Sequence, residues 1–434
     1  MYEHLKGKTL LVMDRTSLAA CAVLRAKQLG IKTIVANFYK YEDSPSKQVA
    51  DVAIDVDISD IESMLKIIKE NSVDGIFVGW TDSHLPFYAE ICKRAELPCC
   101  GTAEQFLTLS NDKSKFKALS NLYGVPTVHD YKLDIRFLTE DLEQINYPVM
   151  VKPSDGSGSR GVKCCRNEEE LKSHYSFLYN SSKNKHIICE DFIATNKEIF
   201  LNYIVQDGEC SLTATYMSFN SKREDGSKGP AMLHIYPSSY TKQYKETVEP
   251  SVIKMLKGIG LKNAFLSLQG FVTDDGFAFH ETGLRMGGGQ SYVFTEILNG
   301  VSSLDLMIEF AVTGKMSSIK AKEKDNPFFS KVCANYYIVL KDGTISTIDG
   351  VDSVRNMPQV LQIMQFKNIG DVINLENSLD SVCFRIHVMD DTKESLAKTI
   401  EQISNTLQIK DSKGNNMQLE IVTFQRALEI INAS

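Results

Sequence analysis

The stretch Tyr147-Pro148-Val149-Met150-Val151-Lys152-Pro153-Ser154-Asp155-Gly156-Ser157-Gly158-Ser159-Arg160-Gly161-Val162 constrains this chain more than any other. It reads as a buried strand that ends on a lysine and opens into a glycine–serine loop. Lysine brings a compact positive charge, and glycines let backbone N–H groups approach an anion with no Cβ in the way. Together they suit a grip on polyphosphate. The spacing excludes a Walker A loop: Val162 stands where that motif needs Lys, and no Ser or Thr follows. Val162-Lys163-Cys164-Cys165-Arg166 reads as a second strand rather than a helix. The motif is therefore a strand–loop–strand hairpin, with an ordinary glycine-rich hairpin as the alternative reading.

The 434 residues are 43% hydrophobic and 24% charged, an ordinary globular balance with room for two to four domains. The net charge of −7 and the lack of a basic stripe argue against nucleic acid as a partner. Ten cysteines include no CxxC pair, which speaks against a structural zinc site. No apolar run reaches membrane-spanning length, and no signal peptide is recognisable. The expectation is a cytoplasmic protein with reduced, core-packed cysteines.

The first hundred residues alternate strand and helix. Strands are expected at Thr9–Met13, Lys32–Phe38, Val52–Val56 and Gly75–Trp80. Helices are expected at Ser17–Leu29, from an N-cap at Ser59 to Glu70, and at Asp82–Ala95. This predicts a doubly wound parallel sheet. The turn Asp14-Arg15-Thr16-Ser17 lacks GxGxxG, so a dinucleotide site is not supported. Farther on, a helix starts at Asn111 and breaks at Gly124 and Pro126. Asn167 with Glu170 gives a capping-box pattern. Strands are expected at Ile187–Ile193 and Glu198–Val205. Ser218–Gly229 reads as a polar loop, and Leu97–Gly101 as a short extended stretch. After Lys331, strands at Val332–Val339 and Val382–Val388, with helical runs near Gln359–Met364 and Lys393–Thr406, suggest a small α+β unit.

A second chemical signal surrounds a hairpin turn at Thr273-Asp274-Asp275-Gly276-Phe277. Gln269 and Glu281 flank it, and pairing on one face brings them together. Two such oxygens suit Mg²⁺ bridging nucleotide phosphates. The plain alternative is an exposed Gln and a salt-bridged Glu. Thr282-Gly283-Leu284-Arg285-Met286-Gly287-Gly288-Gly289 follows. An arginine beside three glycines suits an anion held by a planar fork, the alternative being a flexible loop. His234, Tyr236, Tyr39 and Tyr41 are candidate substrate contacts.

In order along the chain, these pieces resemble the ATP-grasp superfamily. Asn111-Asp112-Lys113 followed by Gly124-Val125-Pro126 resembles the helix carrying its first ATP lysine, and Tyr147–Pro153 the strand carrying the second, Lys152. Gly156–Gly161 resembles the lid loop over the β- and γ-phosphates, with Ser157, Gly158 and Ser159 as contacts. Glu190-Asp191-Phe192-Ile193 resembles the hinge that meets adenine. Glu198 matches the ribose acid, Gln269 and Glu281 the metal positions, and Arg285 the arginine facing an acyl phosphate. The sequence departs from the family at Gln269, where many members have Glu, and at Gly283, where most have Asn.

The resemblance implies a mixed α/β and α+β fold. A parallel-sheet domain over 1–108 would precede an ATP-grasp domain over 109–325, with a lid at about 126–188, and an α+β domain over 326–434. It implies ATP and Mg²⁺, with Mn²⁺ as an alternative, small-molecule carboxylate and amine substrates, and a homodimer as one assembly. Arg285 and Lys152 would be catalytic. Two other readings stay open: a bicarbonate-phosphorylating enzyme like carbamoyl-phosphate synthetase, and an ATP-binding module without catalysis.

Overall fold

The computed structural model describes residues 2–156, 161–182, 184–195, 197–222, 228–375 and 380–434. Near the N-terminus, β1 (Thr9–Val12), β2 (Lys32–Asn37), β3 (Val52–Asp55) and β4 (Gly75–Phe77) form a parallel sheet in the order β3-β2-β1-β4. Every residue of β1 and β4 is buried, the pattern of strands covered on both faces. Helix α1 (Ser17–Gln28) starts at Thr16, whose hydroxyl accepts from Ala19 N–H. The Ser59 cap expected from sequence is corrected to Asp60. Its carboxylate accepts from Ser63 N–H, while Ser59 turns back to Asp57.

A small antiparallel sheet in the order β5-β8-β6-β7 uses β5 (Asp130–Tyr131), β6 (Val149–Pro153), β7 (Lys163–Cys165) and β8 (Ile187–Asp191). Strands β6 and β7 pair antiparallel, as the strand–loop–strand reading requires. Val149 and Val151 enter a core with Leu171, Tyr175 and Leu178. Alternation turns Lys152 to the opposite face. Ser157, Gly158 and Ser159 lie outside the described residues.

The largest sheet has eight strands. It contains β9 (Glu198–Gln206), β10 (Glu209–Lys222), β11 (Lys228–Tyr236), β12 (Ala264–Thr273), β13 (Gly276–Gly283) and β14 (Val332–Val339). Its order is β13-β12-β9-β10-β11-β14, then 382–390 and 360–365. Two expectations are corrected here. The run near Gln359–Met364 is an edge strand, Val360–Gln365, because Val360-Leu361-Gln362-Ile363 pairs with 382–390 across one register shift. Ser218–Lys222 and Lys228 onward are strand ends rather than loop: the backbones of β10 and β11 keep pairing along this polar stretch, with register shifts on either side of Asn220. The C-terminal strands extend the central sheet through the β11–β14 pair and have their own core with the helix Lys393–Thr406.

Register places the candidate residues on one face of this sheet. Gln269 stands opposite Glu281, and Ser267 opposite Gly283. Gln269 is also opposite Phe200, and Phe200 opposite Tyr216. His234 pairs with Ser218 and Asn335, and Tyr337 pairs with Arg385. With a side-chain period of two, one polar and aromatic surface runs from the Gln269–Glu281 hairpin to the C-terminal strands. No helix among the described residues is long and apolar enough to cross a membrane.

Candidate functional site

The helix Lys113–Tyr123 is fixed at both ends. Asp112 accepts from the N–H groups of Ser114 and Lys115, at 2.9 and 3.3 Å. Gly124 ends the helix at φ +73°, a conformation that favours glycine. Lys113 and Lys117 therefore share one helical face. Lys113 Nζ donates to Gly156 O at 2.5 Å and stands 3.5 Å from Glu281 Oε1. One lysine thus ties together the helix, the mouth of the glycine loop and the β13 carboxylate.

Lys152 is 5% exposed, and its ammonium donates to Glu190 Oε1. Lys117 donates to Glu190 Oε2, to Asp130 and, at 3.2 Å, to Val128 O. Burial lowers the Lys152 pKa, and Glu190 opposes that shift. Burial raises Asp130, against the pull of Lys117. Two ammonium groups and two carboxylates make a neutral quartet between the helix Lys113–Tyr123 and the strands β5, β6 and β8. Beside it, Tyr131 OH donates to Asp191 Oδ1 at 2.6 Å, and Ile193 O accepts from Thr195 N–H at 2.8 Å. Glu198 is buried on β9, its carboxylate 3.9 Å from His280 Nε2.

Arg285 sits at the other end. Its Nη2 donates to Asp82 Oδ2 at 2.6 Å, and its Nη1 to Met286 O at 3.0 Å. Burial works against its charge, but Asp82 and then Glu281 outweigh it, so the guanidinium is held above its ordinary pKa. The three glycines after it are anchored rather than loose. Gly287 O accepts from Trp80 Nε1 at 3.1 Å, Gly288 O from Arg385 Nη1 at 2.6 Å, and Gly289 O from Asn335 Nδ2 at 2.6 Å. A Cβ on Gly289 would stand 2.7 Å from Tyr236 Oη, so glycine is required there by close approach. Gly283 differs: its φ lies outside the left-handed region. A Cβ would meet only ordinary contacts, 3.6 Å to Arg285 Cζ and 3.6 Å to Asp82 Oδ1.

Among the other candidates, His234 Nδ1 is 3.1 Å from Tyr337 Oη, and its ring packs on Tyr216. Tyr236 is fully buried against the Gly289 carbonyl. Tyr39 lies under the Arg15 guanidinium at 4.3 Å, and Tyr41 is exposed. Sequence reading missed Lys117, Asp82, Trp80 and Arg385. Only Lys117 left a usable signal, four residues after Lys113 on a capped helix.

Glu281 and Gln269 offer a hard cation only oxygen, and the Glu281 side chain is 31% exposed. Among the described residues no group of three or more His, Cys, Asp or Glu side chains forms a metal cage. The Glu281 carboxylate beside the Gln269 oxygen fits Mg²⁺, which takes one or two carboxylates and completes its shell with phosphate oxygens and water.

Residues 112–273 match the family described as carbamoyl-phosphate synthase L chain, ATP binding domain. The chain is 26% identical over 335 residues to the 2-oxoglutarate carboxylase small subunit of Hydrogenobacter thermophilus, covering 70% of this chain and 66% of that protein. It spans only 32% and 23% of two longer relatives. Among solved structures, an L-amino acid ligase from Bacillus licheniformis matches at TM-score 0.75 and 19% identity, over 94% of this chain and 99% of that one. The biotin carboxylase domain of the Hydrogenobacter thermophilus 2-oxoglutarate carboxylase, solved as a dimer with MgADP, ADP and bicarbonate, matches at TM-score 0.77 and 20% identity, over 98% and 94%. With its lysines and Gln269–Glu281 hairpin in this order on this fold, the chain is similar to members of the ATP-grasp superfamily, the family match covering residues 112–273.

Proposed function

We propose that this protein is an ATP-dependent ligase. It would activate a small-molecule carboxylate as an acyl phosphate and join it to an amine, releasing ADP and phosphate. The observation that carries this reading is the position of Lys113 between Gly156 O and Glu281 Oε1. It brings the glycine loop and the carboxylate hairpin onto one point, where a polyphosphate with its cation fits.

In this reading Lys113 and Lys152 neutralise phosphate charge. Lys152 moves off Glu190 to do so, and Lys117 stays to hold that carboxylate. Glu190, Asp191 and Ile193 line the adenine end, with Glu198 toward the ribose. Ser157, Gly158 and Ser159 close over the β- and γ-phosphates. Gln269 and Glu281 hold Mg²⁺, or Mn²⁺, which supplies positive charge to the phosphoryl group being transferred. Arg285, fixed by Asp82 and Met286 O, faces the acyl phosphate oxygens. A preorganised donor of this kind typically contributes about 10²–10³ in rate. Closing the loop keeps water from the acyl phosphate. The layout of 1–108, 109–325 with its lid, and 326–434 belongs to the same proposal, as does a homodimer.

The likeness to carboxylases favours a second reading, in which bicarbonate is the acid phosphorylated. An ADP-release screen with pools of carboxylates, amines and bicarbonate separates the two. Release that needs both a carboxylate and an amine supports the ligase. Release with bicarbonate alone replaces it. Tight ATP binding with no release under any pool removes both.

A further inference from the structure

Four lysines and arginines are buried among the described residues: Lys47, Lys117, Lys152 and Arg385. Lys47 meets Asp55, Lys117 meets Asp130 and Glu190, and Lys152 meets Glu190. Arg385 meets no carboxylate among the described residues. It is 8% exposed, and its guanidinium lies over the Tyr337 ring at 5.2 Å and the Phe366 ring at 5.5 Å. Nη1 is used twice, by Gly288 O at 2.6 Å and Gln290 Oε1 at 3.0 Å. Nε is buried without a hydrogen-bond partner. A buried charge is normally paired, because leaving water costs it far more than neutral dipoles return. The Nε–Nη2 edge is the side of a guanidinium that takes a planar carboxylate through two parallel hydrogen bonds.

The position of this edge matters. Arg385 lies on the same sheet face as Glu281. Arg285 Nη1 bonds Met286 O and Arg385 Nη1 bonds Gly288 O. Two residues of chain span at most about 7 Å. Adding the two hydrogen bonds, the guanidinium groups stand within about 13 Å of each other. Both also act on the buried Tyr216 phenol, as does Glu198. Arg285 is already neutralised by Asp82, whereas Arg385 is not.

We propose that Arg385 is the counter-ion for a carboxylate on the second substrate, so that the nucleophile is an amino acid and not a simple amine. This rests on the ligase reading above and names the substrate class of that site. The amine lies toward Arg285 and the acyl phosphate, and the acid group closes on the unpartnered Nε edge of Arg385.

The test compares α- and ω-amino acids with their matched carboxamides, in the intact protein, as nucleophiles for ADP release. The wild type should favour the acid about 10- to 100-fold in kcat/KM, the range of a charge-assisted contact. Arg385→Gln should remove that preference by weakening the acid alone, and Arg385→Lys should recover part of it. Equal use of acid and amide by the wild type, or equal loss of both in Arg385→Gln, overturns the proposal. If no amine of either kind releases ADP, the ligase reading itself has failed. Calorimetry with β-alanine and β-alaninamide on the MgADP-loaded protein then decides the Arg385 site without turnover. Binding of the acid alone, lost in Arg385→Gln, upholds Arg385 as a carboxylate-binding group. Absence of acid binding, or acid binding unchanged in the variant, rejects it.

Discussion

Removing Lys152 separates two roles that a single ammonium holds. In the structure it is buried against Glu190, whose other oxygen is held by Lys117. The quartet Lys117, Lys152, Glu190 and Asp130 is neutral. Lys152→Met leaves it one charge negative, with Glu190 only 4% exposed. Breaking a buried pair from one side costs about 3–5 kcal/mol. Lys117 still serves Glu190, so the lower end, about 3 kcal/mol, is expected. ATP binding should fall separately by about 10- to 100-fold, the loss of one charge-assisted contact. The double variant Lys152→Met/Glu190→Gln is neutral again. Denaturant unfolding should show most of the lost stability restored, while calorimetry with ATP and Mg²⁺ should show affinity still low. The reasoning is refuted if Lys152→Met is as stable as the wild type, or if the double variant regains ATP affinity.

Other perturbations follow from the same geometry. Glu281→Gln should abolish turnover and spare the fold, because a neutral amide binds Mg²⁺ poorly; full activity in the variant removes the hairpin from the site. Gly289→Ala must push Tyr236 Oη away from 2.7 Å. It should cost about 1–3 kcal/mol and lower kcat through Arg285, and an unchanged melting curve contradicts the anchored-loop account. Gly283→Asn has room for its Cβ and should lower the Mg²⁺ concentration needed for half-maximal activity; an unchanged Mg²⁺ titration leaves the glycine without a metal role. Asp325 is pushed up to about 7 by burial, against a hydrogen bond from Ser211. A folded-state pKa above the unfolded one means that stability present at low pH is lost as pH rises from about 4 to about 7. Asp325→Asn should therefore match the wild type near pH 4 and exceed it at pH 8 by up to about 4 kcal/mol. Equal melting at pH 8 rejects that sign.

Local chemistry made much of the site legible. The strand–lysine–glycine order of 147–162, the capped helix of Lys113 and the twelve-residue spacing of Gln269 and Glu281 are all short-range patterns, but the turn alone would set Gln269 opposite His280, and a register shift between Gln269 and Gly270 brings it opposite Glu281. Partners distant in sequence were not legible. Asp82 reaches Arg285 across 203 residues, and Arg385 reaches Gly288 across 97. Nothing in the spacing of either marks the pairing. The strand at Val360–Gln365 was misread because a short apolar run has no decisive period, and its partner lies farther along the chain. The polar ends of β10 and β11 looked like loop because hydropathy does not report backbone pairing.

The central claim is that a carboxylate becomes an acyl phosphate in this site. The most direct measurement follows ¹⁸O from a labelled carboxylate during ATP-dependent turnover with an amine. Attack of the carboxylate on the γ-phosphorus leaves one carboxylate oxygen on phosphorus when the amine displaces phosphate. One ¹⁸O atom is therefore expected in the inorganic phosphate released per amide bond formed. Inorganic phosphate free of label, with ATP consumed and the product made, contradicts it.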